Sequence, residues 1–173
     1  METGIRITGI EPKALGSCIL EIIAARSSAY GEWNGPRTPE EQKEEAADWL
    51  ARISGRRNPA LFVAKRGPEI AGYVWGNEKG KGEFHISHIG VRVDCQRKGI
   101  GRELMRQCEE ACRSRSYSFI STSTYGRYRR MVRLLLWSGF CVTGVSPLPP
   151  SVKIPENRIS LAKSLSSGPK LIW

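Results

Sequence analysis

Apolar and polar side chains alternate over residues 5–10, with Ile5 and Ile7 on one side, which predicts a first strand. Pro12 then stands at a first helical position, and Leu15, Cys18, Ile19 and Ile22 recur at helical spacing. Residues 30–37 carry Gly, Pro and two aromatics and read as a loop. Thr38-Pro39-Glu40-Glu41 reads as a helix start, because the Thr38 hydroxyl and the Glu41 carboxylate can each accept the other's N–H. Ala46, Trp49, Leu50 and Ile53 continue that helix, and Gly55 ends it. Apolar runs at 60–64 and 70–75 flank Arg66-Gly67-Pro68 and predict an antiparallel hairpin. A polar, Gly-rich turn at 77–82 leads into the third strand of a meander, residues 83–93.

The second half changes period. Ile100, Leu104, Cys108, Ala111 and Cys112 form the buried stripe of a helix over 99–114. A strand follows at 117–124. Tyr128, Met131, Val132, Leu135 and Leu136 mark a helix over 126–138, and Gly139-Phe140 begins a strand that runs to 145. Residues 147–155, with four prolines, read as an irregular loop. A last strand covers 158–165, and 166–173 read as a tail. The order is strand, two helices, three strands, helix, strand, helix, two strands. This predicts an α/β (α+β) fold over 1–165: one domain with a mixed, mostly antiparallel twisted sheet flanked by helices.

The chain has 173 residues, enough for one domain with a sizeable core. No run of 18 apolar residues occurs, so no membrane partner is expected, and no secretory signal is read at residues 1–10. Five cysteines without C-x-x-C spacing argue against a disulfide framework or a metal site and for a cytoplasmic setting. With 27 basic against 17 acidic residues the net charge is +10, which favours an anionic partner without choosing among cofactor, nucleic acid or surface.

The segment from Val91 to Arg102 narrows the choice. It joins a strand to a helix through Gln96-Arg97-Lys98-Gly99-Ile100-Gly101. Glycines let the backbone approach closely, successive N–H groups point one way, and the helix dipole favours negative charge, so this is a phosphate-holding device. Gly90 inside an apolar strand signals a bulge or a close backbone approach.

The meander, the Gln96-x-x-Gly99-x-Gly101 turn and the helix ending Leu134-Leu135-Leu136-Trp137-Ser138-Gly139-Phe140 together resemble the GNAT superfamily of acyl-CoA-dependent N-acyltransferases over residues 4–165. The resemblance implies a bulge that splays one strand from the next. It implies acetyl-CoA or another acyl-CoA as co-substrate. Its pantetheine arm would pair with the backbone of Val91 and Val93, and its pyrophosphate would lie on Gln96, Arg97, Lys98, Gly99, Ile100, Gly101 and Arg102. It also implies transfer to a primary amine, on a small molecule or a peptide or protein, by direct attack in a ternary complex.

Such a reaction needs a base for the amine and an acid for the departing thiolate. A glutamate base of some relatives falls at His85, read here as base or water holder, with Glu83 a second candidate. Alternation puts His85, Ser87 and Ile89 on one strand face and Phe84, Ile86 and His88 on the other. The tyrosine that many relatives place before Gly-Phe is Leu135 here, and the asparagine seven residues earlier is Tyr128; Tyr125 or Tyr128 is the candidate substitute acid. Tyr30, Trp33 and Asn34 are expected to line the acceptor site. Two other readings stay open. Arg127, Arg129, Arg130 and Arg133 could dock aminoacyl-tRNA, and a non-catalytic acyl-CoA-binding module would explain the missing tyrosine. A monomer or a homodimer fits equally.

Overall fold

The structure, a computed structural model, describes residues 4–35, 37–147 and 157–165, and the backbone alone at 32–34. The elements are β1 (Ile5–Gly9), α1 (Ile19–Asn34), α2 (Pro39–Ser54), β2 (Ala60–Arg66), β3 (Glu69–Gly80), β4 (Glu83–Val91), α3 (Ile100–Ser114), β5 (Phe119–Tyr125), α4 (Arg129–Trp137), β6 (Cys141–Pro147) and β7 (Asn157–Ser164). A 3₁₀ turn precedes α1 and another follows β4. The expected order of strands and helices is the observed one. The expected tail at 166–173 and most of the proline loop lie outside the described residues.

The seven strands form one sheet in the order β1-β2-β3-β4-β5-β7-β6. Every neighbouring pair is antiparallel except β4 and β5, which run parallel and are joined through α3. Helices cover both faces. On one, Leu104, Met105 and Cys108 of α3 and Leu135 of α4 pack with Val74, Phe84, Ile86, Ile89, Ile120 and Leu161. On the other, Ile19, Ile22 and Ile23 of α1 and Ala46, Trp49 and Ile53 of α2 pack with Leu61, Val63, Tyr73 and Trp75. All five cysteines are free, and four are buried. Among the described residues no helix is long and apolar enough to cross a membrane.

The Thr38 capping box forms: Glu41 N donates to Thr38 Oγ1 at 3.2 Å, and Thr38 N donates to Glu41 Oε2 at 2.7 Å. Two expected loops are instead regular structure. Helix α1 runs through Gly31 to Asn34 and stops at Gly35, whose φ of 71° ends it just before Pro36. A single interior glycine costs a helix only about 1 kcal/mol, and the buried face of α1 outweighs that. Likewise β3 continues through the polar stretch 77–80, because Asn77, Glu78 and Gly80 pair with His85, Phe84 and Glu83. Glu78 is held there by Arg57 at 3.0 Å, Asn58 at 2.6 Å and the Tyr117 hydroxyl at 3.2 Å.

Candidate active site

The central feature is a bulge. Trp75 of β3 pairs with His88 and the next residue, Gly76, pairs with Ile86, so Ser87 is an extra residue on β4. One inserted residue reverses the alternation. Phe84, Ile86 and Ile89 therefore all join the α3/α4 core, while His88 packs on Trp49 of α2 and Tyr30 of α1. This corrects the expected faces: Ile89 does not share a side with His85, and His88 does not share one with Phe84 and Ile86. The bulge falls at Ser87 rather than at Gly90. Gly90 is required for the other reason, close approach, because a Cβ there would lie 2.9 Å from the buried Tyr73 ring.

The bulge opens the sheet. Strands β4 and β5 pair only from Glu83–Phe119 to Ile86–Thr122. Beyond Ile86, β4 stays with β3 and β5 stays with β7, so their facing edges diverge. Thr122 Oγ1 donates to the Ile86 carbonyl at 3.0 Å, at the apex of the gap. Backbone groups of alternate residues point to opposite sides of a strand. Arg92 N bonds back to Ala71 of β3, so Val91 and Ile89 address the gap. Their carbonyls are met by Gln96 Nε2 at 3.0 Å and by the Tyr30 hydroxyl at 2.5 Å.

Val93 departs from expectation. The strand ends at Val91, and Val93 begins a 3₁₀ turn. Its N–H donates to Ser28 Oγ at 3.2 Å and its carbonyl accepts from Gln96 N at 3.3 Å, so its backbone is already engaged. The turn itself is built as the sequence suggests. Gly99 has a φ of 79° and caps α3, and Arg97 is also left-handed with a φ of 62°. Gly101 serves packing, since a Cβ there would stand 3.1 Å from Leu134 of α4. Ile100 is buried, whereas Arg97, Lys98 and Arg102 are exposed around the α3 N-terminus. Lys98 Nζ donates to the Asp94 carbonyl at 3.0 Å, and Arg130 of α4 reaches Gln96 Oε1 at 2.9 Å. The result is an exposed helix N-terminus ringed by cations at the mouth of the gap, suited to a pyrophosphate.

His85, half-buried near the apex, has its Nδ1 2.8 Å from Ser121 Oγ of β5, and Ser121 Oγ donates to Glu83 Oε1 at 2.5 Å. Lys79 Nζ stands 3.6 Å from the same carboxylate oxygen. Burial, Lys79 and Arg56 hold the His85 pKa below the ordinary 6.5, and Glu83 partly opposes them. The balance favours the neutral ring, which can accept a proton. Ser121 was not visible as a site residue in the sequence, because a parallel pairing 36 positions distant brings it there.

On the α1/α2 side the aromatic rings cluster. Tyr30 meets His88 edge-on at 6.1 Å and Tyr128 at 5.4 Å, and Tyr128 meets Tyr125 at 6.0 Å. Arg127 lies over both Tyr125 and Tyr128. Burial pushes the Tyr30 pKa up to about 12, and burial with Arg26 and Arg52 pushes His88 down to about 4. Leu135 is buried in the α3/α4 core. The side chains of Trp33 and Asn34 lie outside the described residues. A separate groove of about 530 Å³ opens between α1 and the β2–β3 turn, lined by Glu21, Ser28, Glu69 and Arg92 among others. Among the described residues no cluster of three His, Cys, Asp or Glu is placed to hold a metal.

A split sheet with a cation-ringed helix start at its mouth defines a class, and sequence comparison agrees with it. The model of the Acetyltransferase (GNAT) family matches residues 23–140. The chain belongs to this family of acetyltransferases. A search of curated proteins gave no match. Among solved structures, the ribosomal-protein-S18-alanine N-acetyltransferase from Escherichia coli is similar, with a TM-score of 0.72 and 16% identity over 98% of this chain and 99% of that one. YncA from Salmonella typhimurium, solved with its cofactor acetyl-CoA, gives a TM-score of 0.70 and 17% identity over 95% of each chain. A GNAT-family protein from Desulfovibrio desulfuricans gives 0.74 and 18% over 94% of this chain and 99% of that one. At these identities the likeness is one of fold.

Proposed function

We propose that the chain transfers an acetyl group from acetyl-CoA to a primary amine, on a small molecule or a peptide, by direct attack in a ternary complex. The observation that carries this is the parting of β4 from β5 beyond Ile86, beside the Gln96–Gly101 turn. An extended, amide-bearing arm can line the edge of Ile89 and Val91 as a strand would, accepting from their N–H groups, while their carbonyls accept from Tyr30 and Gln96. The amides from Arg97 to Arg102 would meet its phosphates. His85 takes the proton of the attacking ammonium, directly or through a water. The amine nitrogen then bonds the thioester carbon as the C–S bond breaks. Tyr128, which meets Tyr30 beside the gap, supplies the proton to the thiolate sulfur, and the second proton that the nitrogen loses as the amide forms restores the phenol. Tyr30 fixes the Ile89 carbonyl and walls the acceptor side. The exposed Arg129 and Arg133 support a second reading, an acceptor carried on tRNA.

The test is release of the CoA thiol from acetyl-CoA over a panel of spermidine, tyramine, L-lysine, an alanine-starting peptide and aminoacyl-tRNA. Turnover with intersecting initial-rate lines is expected for at least one. Parallel lines with an acetylated protein would overturn direct attack, and no turnover with any member would favour the non-catalytic module. His85→Ala should lower kcat/KM about 100-fold with acetyl-CoA affinity retained. An unchanged rate would remove His85 as the base.

A further inference from the structure

We infer that Ser121 and Glu83 form a positioning relay that holds His85 in one tautomer, with the proton on Nδ1 and the lone pair of Nε2 free to act as base. This rests on the reading of His85 as the base. Ahead of the Ser87 bulge the two-residue period places Glu83 and His85 on one face of β4. The parallel register sets Ser121 directly opposite His85. The three side chains therefore line up along the parallel seam between β4 and β5, and the bulge begins just past its end.

Counting protons fixes the direction. Ser121 has one hydroxyl proton and stands within bonding distance of two partners, Glu83 Oε1 and His85 Nδ1. The Glu83 carboxylate, paired with Lys79, offers only lone pairs, so it takes the hydroxyl proton. Ser121 Oγ can then only accept, and Nδ1 must donate. The opposite tautomer would turn the hydroxyl toward Nδ1 and leave two oxygen lone pairs facing each other at 2.5 Å. With Nδ1–H committed, Nε2 is the proton acceptor. When it is protonated, the imidazolium charge is met through Nδ1–H···Oγ–H···Oε1 by the Glu83 carboxylate, as in other sites where a third group orients the base. The other groups that face His85 are Lys79 and Arg56, both cationic, and Asn77, its partner across β3. Glu83 is the one acid among them, so it alone favours protonation.

The experiment combines two readouts. Nitrogen-15 NMR of the protein alone, at pH 8, should show His85 with a protonated Nδ1 and a bare Nε2. A protonated Nε2 would overturn the relay without reference to any substrate. Kinetics would use acetyl-CoA with the fastest amine of the panel. Ser121→Ala should lower kcat about 10- to 100-fold with the KM for acetyl-CoA unchanged, and Ser121→Thr, which keeps the hydroxyl, should restore most of it. Glu83→Gln should move the acid limb of the kcat profile to lower pH, because it removes the charge that favours the imidazolium. If His85→Ala is inactive but Ser121→Ala keeps the wild-type rate and profile, the relay is wrong and the base stands. If His85→Ala itself is unaffected, the base reading fails and the relay with it.

Discussion

On the α3/α4 face of the sheet, Phe84, Ile86, Leu104, Met105 and Ile120 are fully buried, and none carries a side-chain hydrogen-bonding group. On the α1/α2 face, burial is just as deep at Tyr73 and Trp75, but polar atoms are buried with it. Among the described residues the Tyr73 hydroxyl, Trp75 Nε1, Ser27 Oγ and Arg26 Nε find no hydrogen-bond partner, and Arg26 is ion-paired with Glu45 at 2.6 Å. His88 lies among the same rings. Buried polar atoms left unpaired cost about 1–3 kcal/mol each, so a face that keeps them is not arranged for stability alone. The two faces divide the work. One anchors the sheet and the α3 turn. The other carries polar and aromatic side chains beneath α1 and α2, on the side where the proposed acceptor would enter.

The largest effect is expected on the apolar face. Leu104→Ala should lower unfolding free energy by about 2–5 kcal/mol, measured by urea unfolding, with little change in KM for the amine. A loss under 1 kcal/mol would mean that this face is not the anchor.

The polar face should instead reveal itself through pH. A histidine buried in its neutral form stabilises above its unfolded pKa of 6.5, and that contribution is lost as pH falls toward the folded value of about 4. His88 should therefore cost about 2 kcal/mol on going from pH 7 to pH 5. His85, also depressed, adds in the same direction. Urea midpoints of His88→Gln at the two pH values should differ less than those of the wild type. Equal differences would show that the surroundings of half-buried His88 do not hold it neutral.

A smaller effect tests the seam between the faces. Gly90→Ala places a Cβ against the Tyr73 ring, which is boxed in by Trp49, and should cost about 1–3 kcal/mol. It should also weaken acetyl-CoA binding by shifting the Val91 edge. Stability and binding both at wild-type values would contradict the close approach.

Local signals made much of this legible. The capping box at Thr38, the α3 stripe and the Gln96–Gly101 turn depend on neighbours within a few residues, and each is where the pattern put it. What escaped depends on distant pairing. The Ser87 bulge is a mismatch between β3 and β4, so alternation alone misplaced His88 and Ile89. Ser121 meets His85 only through the parallel register. Gly31 lies inside α1 because packing overrides a weak local preference. Val93 left the strand edge when its N–H found Ser28, a partner 65 residues away.

The gap between β4 and β5, with the α3 turn at its mouth, is the proposed acetyl-CoA site. Calorimetric titration with acetyl-CoA tests it most directly, on the wild type and on Gly99→Val, which cannot easily hold the left-handed φ of 79°. One-to-one binding with a Kd on the order of micromolar, weakened at least about tenfold in the variant, is the predicted result. No binding to the wild type, or equal binding to both proteins, would contradict it.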